Sequence, residues 1–254
     1  MIVGGAAAGV FGSLLGLGGG ILIVPLLTLV FGLDLREAVG VSLISVIVTS
    51  SAAAGVYLER RVADLRLGMR LELFTATGAF VGGSIAFLID ERWLSILFAC
   101  LLGYVAFTMA RGARAAASAD AQAPEAPNGT SSQVRNMRWG VVGATGAGVA
   151  SSLLGIGGGI VKVPLMHLAM GVPLRVATAT SNLMVGITAA ASAVIYLVHG
   201  EIDPYVAGPT AIGVFLGASA GSRLAHRIDL RVLRWLFVAV LLYTAIQMLL
   251  RAMS

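Results

Sequence analysis

Six runs of about 20 residues, near positions 36–58, 69–89, 92–111, 175–198, 204–225 and 231–251, are built almost wholly from apolar side chains. Coiled as helices, each is long enough to cross the ~30 Å hydrocarbon layer of a bilayer. Only helices and closed barrels can cross, because lipid offers backbone N–H and C=O groups no partner. Barrel strands alternate apolar and polar residues, and these runs do not. Composition agrees, with 58% hydrophobic and 11% charged residues. The chain therefore reads as an all-α polytopic membrane protein.

A formal charge of +5 invites comparison with nucleic-acid binders. The arginines, however, stand at the ends of apolar runs and never gather on one polar face, so they read as topology signals and no nucleic acid is expected. The single cysteine, Cys100, lies inside an apolar run; it permits no internal disulfide and reads as a small core residue. The N-terminal stretch lacks a basic region ahead of its apolar residues and is not expected to be a secretory signal.

The sequence repeats itself. Shifted by 139 positions, Gly16 falls on Gly155, Pro25 on Pro164, Arg36 on Arg175, Ser42 on Ser181, Tyr57 on Tyr196, Asp64 on Asp203, Arg92 on Arg231 and Tyr104 on Tyr243, without a gap. The chain divides accordingly into a first repeat, residues 1–111, a linker, residues 112–136, and a second repeat, residues 137–254. The linker is rich in Ala, Pro and Ser and cannot bury enough apolar surface to order itself.

Cytoplasmic loops collect Lys and Arg, and the two repeats place their arginines in opposite loops. In the first, the loop after the second segment carries Arg60, Arg61, Arg66 and Arg70, and the next offers only Arg92. In the second, the loop with His199, Glu201 and Asp203 has no Lys or Arg, whereas the later one carries Arg223, Arg227, Arg231 and Arg234. This pattern predicts two inverted-topology repeats, as in many secondary transporters. Inversion requires an odd number of crossings per repeat, so one of four apolar segments must turn back.

The segment predicted to turn back is the first of each repeat. "GLGGGILIVP" at 16–25 and "GIGGGIVKVP" at 155–164 break it into two pieces of about 12 residues, each only ~18 Å long. Residues 2–32 and 139–171 thus read as re-entrant hairpins, each followed by three transmembrane helices, with glycine tips at mid-membrane. The linker then falls on the cytoplasmic side and both termini on the opposite side. Non-helical backbone at that depth must be enclosed by protein or line a watery cavity. Helix N-termini with free N–H groups and no Cβ in the way can receive an anion. Gly18, Gly19, Gly20, Gly157, Gly158 and Gly159 are therefore candidate substrate-binding residues. Scattered Gly12, Gly78, Gly82, Gly217 and Gly221 read as helix-packing positions.

Lys162, the only lysine, stands three residues past Gly159. A cation near mid-membrane costs about 2.5–3.5 kcal/mol on insertion scales, so it needs a compensating role, in substrate binding or gating or in a structural ion pair, for which Glu72 is the nearest intramembrane candidate. Ile23 occupies the equivalent place in the first repeat. Ser42, Ser181 and Asn182 flank the hairpins and could donate hydrogen bonds to an oxyanion; Ser13 and Ser152, before each tip, are weaker candidates. Ser45, Thr49, Thr178, Thr180 and Thr188 divide between that role and helix-to-helix hydrogen bonds. His167 and His199 lack ligand spacing to a second metal-binding residue, so no metal and no cofactor are expected. Trp93, Trp139 and Trp235, at segment ends, read as interfacial anchors.

The paired "GLGGGILIVPLL" and "GIGGGIVKVPLM", each followed by a small-residue and serine segment, "AVGVSL" and "ATATSNL", resemble the TauE/SafE family of sulfite and organosulfonate transporters over both halves. Val41 stands where that family more often has threonine. The resemblance implies transport of sulfur-containing anions such as sulfite, sulfoacetate, other sulfonates or thiosulfate, and no enzymatic activity. The expected function is alternating-access secondary transport of such an anion, with a passive anion channel as the alternative. A coupling proton, the lipid bilayer and a second copy of the chain are compatible partners.

Overall fold

The computed structural model describes residues 1–15, 20–59, 63–119, 137–224 and 230–253. Every element among them is helical: α1 (Ile2–Leu15), α2 (Gly20–Val30), α3 (Leu35–Glu59), α4 (Leu65–Ala86), α5 (Glu91–Ala119), α6 (Met137–Leu154), α7 (Gly159–Pro164), which runs into a π-helical turn (Leu165–Ala169), α8 (Leu174–Val198), α9 (Pro204–Leu224) and α10 (Leu230–Met253). By length and composition, stretches of α3 (Leu35–Ala52), α5 (Glu91–Thr108) and α8 (Val176–Val198) suffice to cross a membrane. The tryptophans lie exposed, Trp93 and Trp139 beside the starts of α5 and α6.

The sequence repeat is a structural one. At the same offset the end of α1 falls on that of α6, α2 on α7 plus its π turn, α3 on α8, and α4, α5 on the starts of α9, α10. Packing is reciprocal. α1 packs chiefly on α9 and α6 chiefly on α4, while α3 pairs with its own counterpart α8 and α5 with α10. Each repeat thus lodges its first helix against the fourth of the other.

Glycine makes these contacts close. A methyl on Gly148 of α6 would strike the Thr75 carbonyl of α4, one on Gly78 of α4 would strike Thr145 of α6, and one on Gly217 of α9 would strike Ala6 of α1. At Gly82 it would come within 2.7 Å of the Val149 backbone. Between helices in lipid, van der Waals contact replaces the hydrophobic effect as the main attraction, so such approach is what holds them. Gly78, Gly82 and Gly217 are packing residues, as expected; the side-chain surroundings of Gly12 lie outside the described residues.

Two expectations need correction. Cys100 is exposed on α5; in a membrane helix the apolar exterior and the apolar interior favour the same residue types, so composition could not separate them. The half-segments are also unequal. α1 and α2 have 14 and 11 residues, but α6 has 18, or about 27 Å. Helix α5 runs on to Ala119, through the alanine-rich start of the segment read as linker, where helix propensity is highest.

Candidate functional site

The two hairpin breaks meet inside the molecule. A methyl on Gly20, the first residue of α2, would stand 2.9 Å from the Gly155 carbonyl and 3.3 Å from the Ile156 Cα, so the repeats touch at their glycines. Ser42 of α3 fastens them. Its hydroxyl donates to the Gly155 carbonyl at 2.8 Å and has the Gly20 carbonyl within reach at 3.2 Å. Tyr196 of α8 adds a strap, donating at 3.0 Å to the Ser152 carbonyl before the second break. Ser42, read from sequence as a donor for an anion, here has its donor on the tips' own carbonyls.

The second tip is a left-handed turn. Gly155, Gly157 and Gly158 have φ of 67°, 76° and 74°, a region that costs an L-residue about 1–2 kcal/mol. Space is short as well, since a methyl at Gly157 would lie 2.5 Å from Val185 and 2.8 Å from Val46. Gly159 differs: its methyl would be 3.3 Å from Val185 and 3.7 Å from the Ser181 hydroxyl. Gly158 caps α7 without a side-chain hydrogen bond. Around this turn the hydroxyls of Ser151, Ser152 and Ser181, all buried, have no hydrogen-bond partner among the described residues. Gly18 and Gly19 of the first tip, and the side chain of Ser13, lie outside the described residues.

Lys162 leaves α7 within its first turn and is 1% exposed. It reaches Glu72 of α4, its ammonium donating at 3.3 Å to Oε2, and also donates to the Thr188 hydroxyl of α8. Thr188 donates at 2.6 Å to the other carboxylate oxygen. Glu72 is itself 5% exposed. Three helices from both repeats thus converge on one buried, hydrogen-bonded ion pair. The sequence left Thr188 divided between donating to an oxyanion and bonding helix to helix; it bridges Lys162 and Glu72.

The remaining polar candidates serve the helices. The Asn182 amide donates to Thr178 O of its own helix at 3.0 Å. Thr180 accepts from the Asp64 N–H at 2.9 Å, while Asp64 caps α4 by accepting from Leu67 N. Ser45 and Thr49 donate to carbonyls of α3. The π turn after α7 has no counterpart in α2, although Pro25 stands where Pro164 does, so proline alone does not produce it. His167, on that turn, engages the Val172 carbonyl at 2.9 Å.

Long apolar helices, glycine breaks meeting in the interior and polar groups gathered there are those of a helical membrane protein. The chain belongs to the TauE/SafE family: the family model described as "Sulfite exporter TauE/SafE" matches residues 1–248. A Xylella fastidiosa "probable membrane transporter protein" is 32% identical over 91% of this chain and 88% of its own length. Bacillus subtilis YunE, also named a probable membrane transporter protein, is 25% identical over 98% and 96%. A relative of the same name from Methanocaldococcus jannaschii is 25% identical over 95% and 91%. No solved structure matches the chain.

Proposed function

We propose that the protein is a secondary carrier for a sulfur-containing anion such as sulfite, sulfoacetate or another sulfonate, working by alternating access across the inner membrane. The observation that carries the reading is the meeting of the two glycine breaks, Gly20 against Gly155, with partnerless hydroxyls of Ser151 and Ser181 beside the Gly157–Gly159 turn. A sulfonate group or the sulfite dianion offers several oxygen acceptors and no donor. Hydroxyls and uncapped amides at the start of a helix segment suit it. The family's description as sulfite exporter supports the sulfur class.

Two halves of opposite orientation, predicted from the arginine loops and consistent with the reciprocal packing of α1 on α9 and α6 on α4, supply the moving parts. In that arrangement the linker is cytoplasmic, both termini are periplasmic, and the site lies between repeats that rock about the tips. The test is counterflow in proteoliposomes. Vesicles loaded with unlabelled anion should take up labelled sulfite, sulfoacetate, isethionate or thiosulfate transiently above equilibrium, as a carrier does and a channel does not. No saturable flux with any of the four would overturn the reading.

A further inference from the structure

The buried ion pair joins Lys162 of the second repeat to Glu72 of the first, and the offset gives it no charged counterpart. At the same offset Ile23 stands for Lys162, Ala211 for Glu72 and Thr49 for Thr188, and Ile23 and Ala211 are buried in their turn. The equivalent places, on α2 of the first repeat and α9 of the second, therefore carry apolar side chains where the pair has charges. Moving two charges out of water carries a penalty of several kcal/mol per ion, and apolar replacements of similar volume often serve a fold as well. Packing does not account for the pair.

Its place does. Lys162 follows the second glycine turn directly, and its Cε lies 3.5 Å from where a methyl on Gly158 would stand; the Ser151 Cβ lies 3.2 Å from the same point. The lysine stem thus runs beside the turn against which Ser151 of α6 and Ser181 of α8 set their partnerless hydroxyls. A carboxylate on that ammonium is chemically the same kind of partner as the oxyanion the site is proposed to carry.

We infer that Glu72 is an internal counter-ion that competes with the transported anion for Lys162: the anion binds as Glu72 takes up a proton, and leaves as Glu72 returns it. The inference rests on the anion reading above and adds its coupling ion. The exchange conserves charge. Before it, the ammonium faces a carboxylate; after it, the ammonium faces the anion and the carboxyl group is neutral, still hydrogen-bonded to Thr188. A monovalent anion then travels with one proton and the site's net charge does not change.

Lys162 of α7 is the one charged group seen facing Glu72 among the described residues. From α8 the Thr188 hydroxyl faces it, and Tyr196 of that helix is engaged with Ser152. Helix α6, packed on α4, carries Arg138 in its first turn as its only titratable side chain. Arg66 and Arg70, on Glu72's own helix, are exposed.

The test uses the purified full chain and isethionate, whose sulfonate does not titrate near neutrality, with sulfite and sulfoacetate in parallel. Wild-type isethionate affinity should rise about tenfold for each pH unit lowered across the range in which Glu72 titrates, as one linked proton requires. In weak buffer, one proton should be taken up per anion bound. Glu72→Gln, a neutral isostere, should bind isethionate with affinity independent of pH and without proton uptake, an effect a merely structural residue would not produce. A flat wild-type profile, binding without proton uptake, or a slope that survives in Glu72→Gln would overturn the proposal. The wild-type arms stand whether or not the variant folds. No binding of any of the three anions at any pH would instead remove the anion reading itself, a result distinct from binding without a proton.

Discussion

Gly157→Ala and Gly159→Ala separate what the second glycine turn does for the fold from what it does for transport. At Gly157 alanine would have to hold a φ of 76°, at about 1–2 kcal/mol. Its methyl would also sit 2.5 Å from Val185 and 2.8 Å from Val46, overpacking of a kind that costs about 1–3 kcal/mol. Together these give a loss of about 2–5 kcal/mol. Gly159 is not left-handed, and its methyl meets only Val185 at 3.3 Å and the Ser181 hydroxyl at 3.7 Å. Gly159→Ala should therefore fold with a loss of under about 1 kcal/mol, while crowding the Ser181 hydroxyl and reducing anion flux. Reversible denaturation of the purified proteins in mixed micelles measures the first effect and proteoliposome counterflow the second. Equal stability of Gly157→Ala and wild type would refute the strain argument, and full flux through Gly159→Ala would refute the placement of the anion.

Other changes probe the clamps. Ser42→Ala removes the donor shared by the Gly20 and Gly155 carbonyls, and leaving buried acceptors unpaired should lower stability by about 1–3 kcal/mol in the same denaturation assay. Lys162→Met leaves the buried Glu72 carboxylate without its ion partner and should cost about 3–5 kcal/mol; Lys162→Met with Glu72→Leu should recover most of that. Both should be inactive in counterflow, and flux through the double variant would show that the pair is dispensable.

Much of this architecture was legible in the residues because the duplication supplied two readings of each element. The glycine runs marked both helix breaks, and the common offset of Pro25 with Pro164 and Asp64 with Asp203 carries over into matching helix limits. What escaped depends on which helices become neighbours. Glu72 was named as a partner for Lys162 and is one, but the third member of the cluster, Thr188, was not singled out, because nothing in the local patterns says that α4 packs on α6 and α8 of the other half. Ser42 has the residue type of a ligand donor, yet its carbonyl partners come from two separate hairpins. Asn182 looked free for an anion because sequence does not reveal that its amide turns back on Thr178. Cys100 faced outward unseen, since lipid and protein interior exert the same selection on a small apolar side chain.

The crossed seating of α1 in the second repeat and α6 in the first has a temporal side. A ribosome adding about 5–20 residues per second completes α1 at Leu15 but does not begin α9 until Pro204, so the earliest helix waits about 10–40 s for its berth. During that interval Gly5 and Gly9, which will abut Thr210 and Val214, have only lipid or the insertion machinery against them. The first repeat is not finished when its own last residue is made; the closing step for the beginning of the chain is translation of its far half.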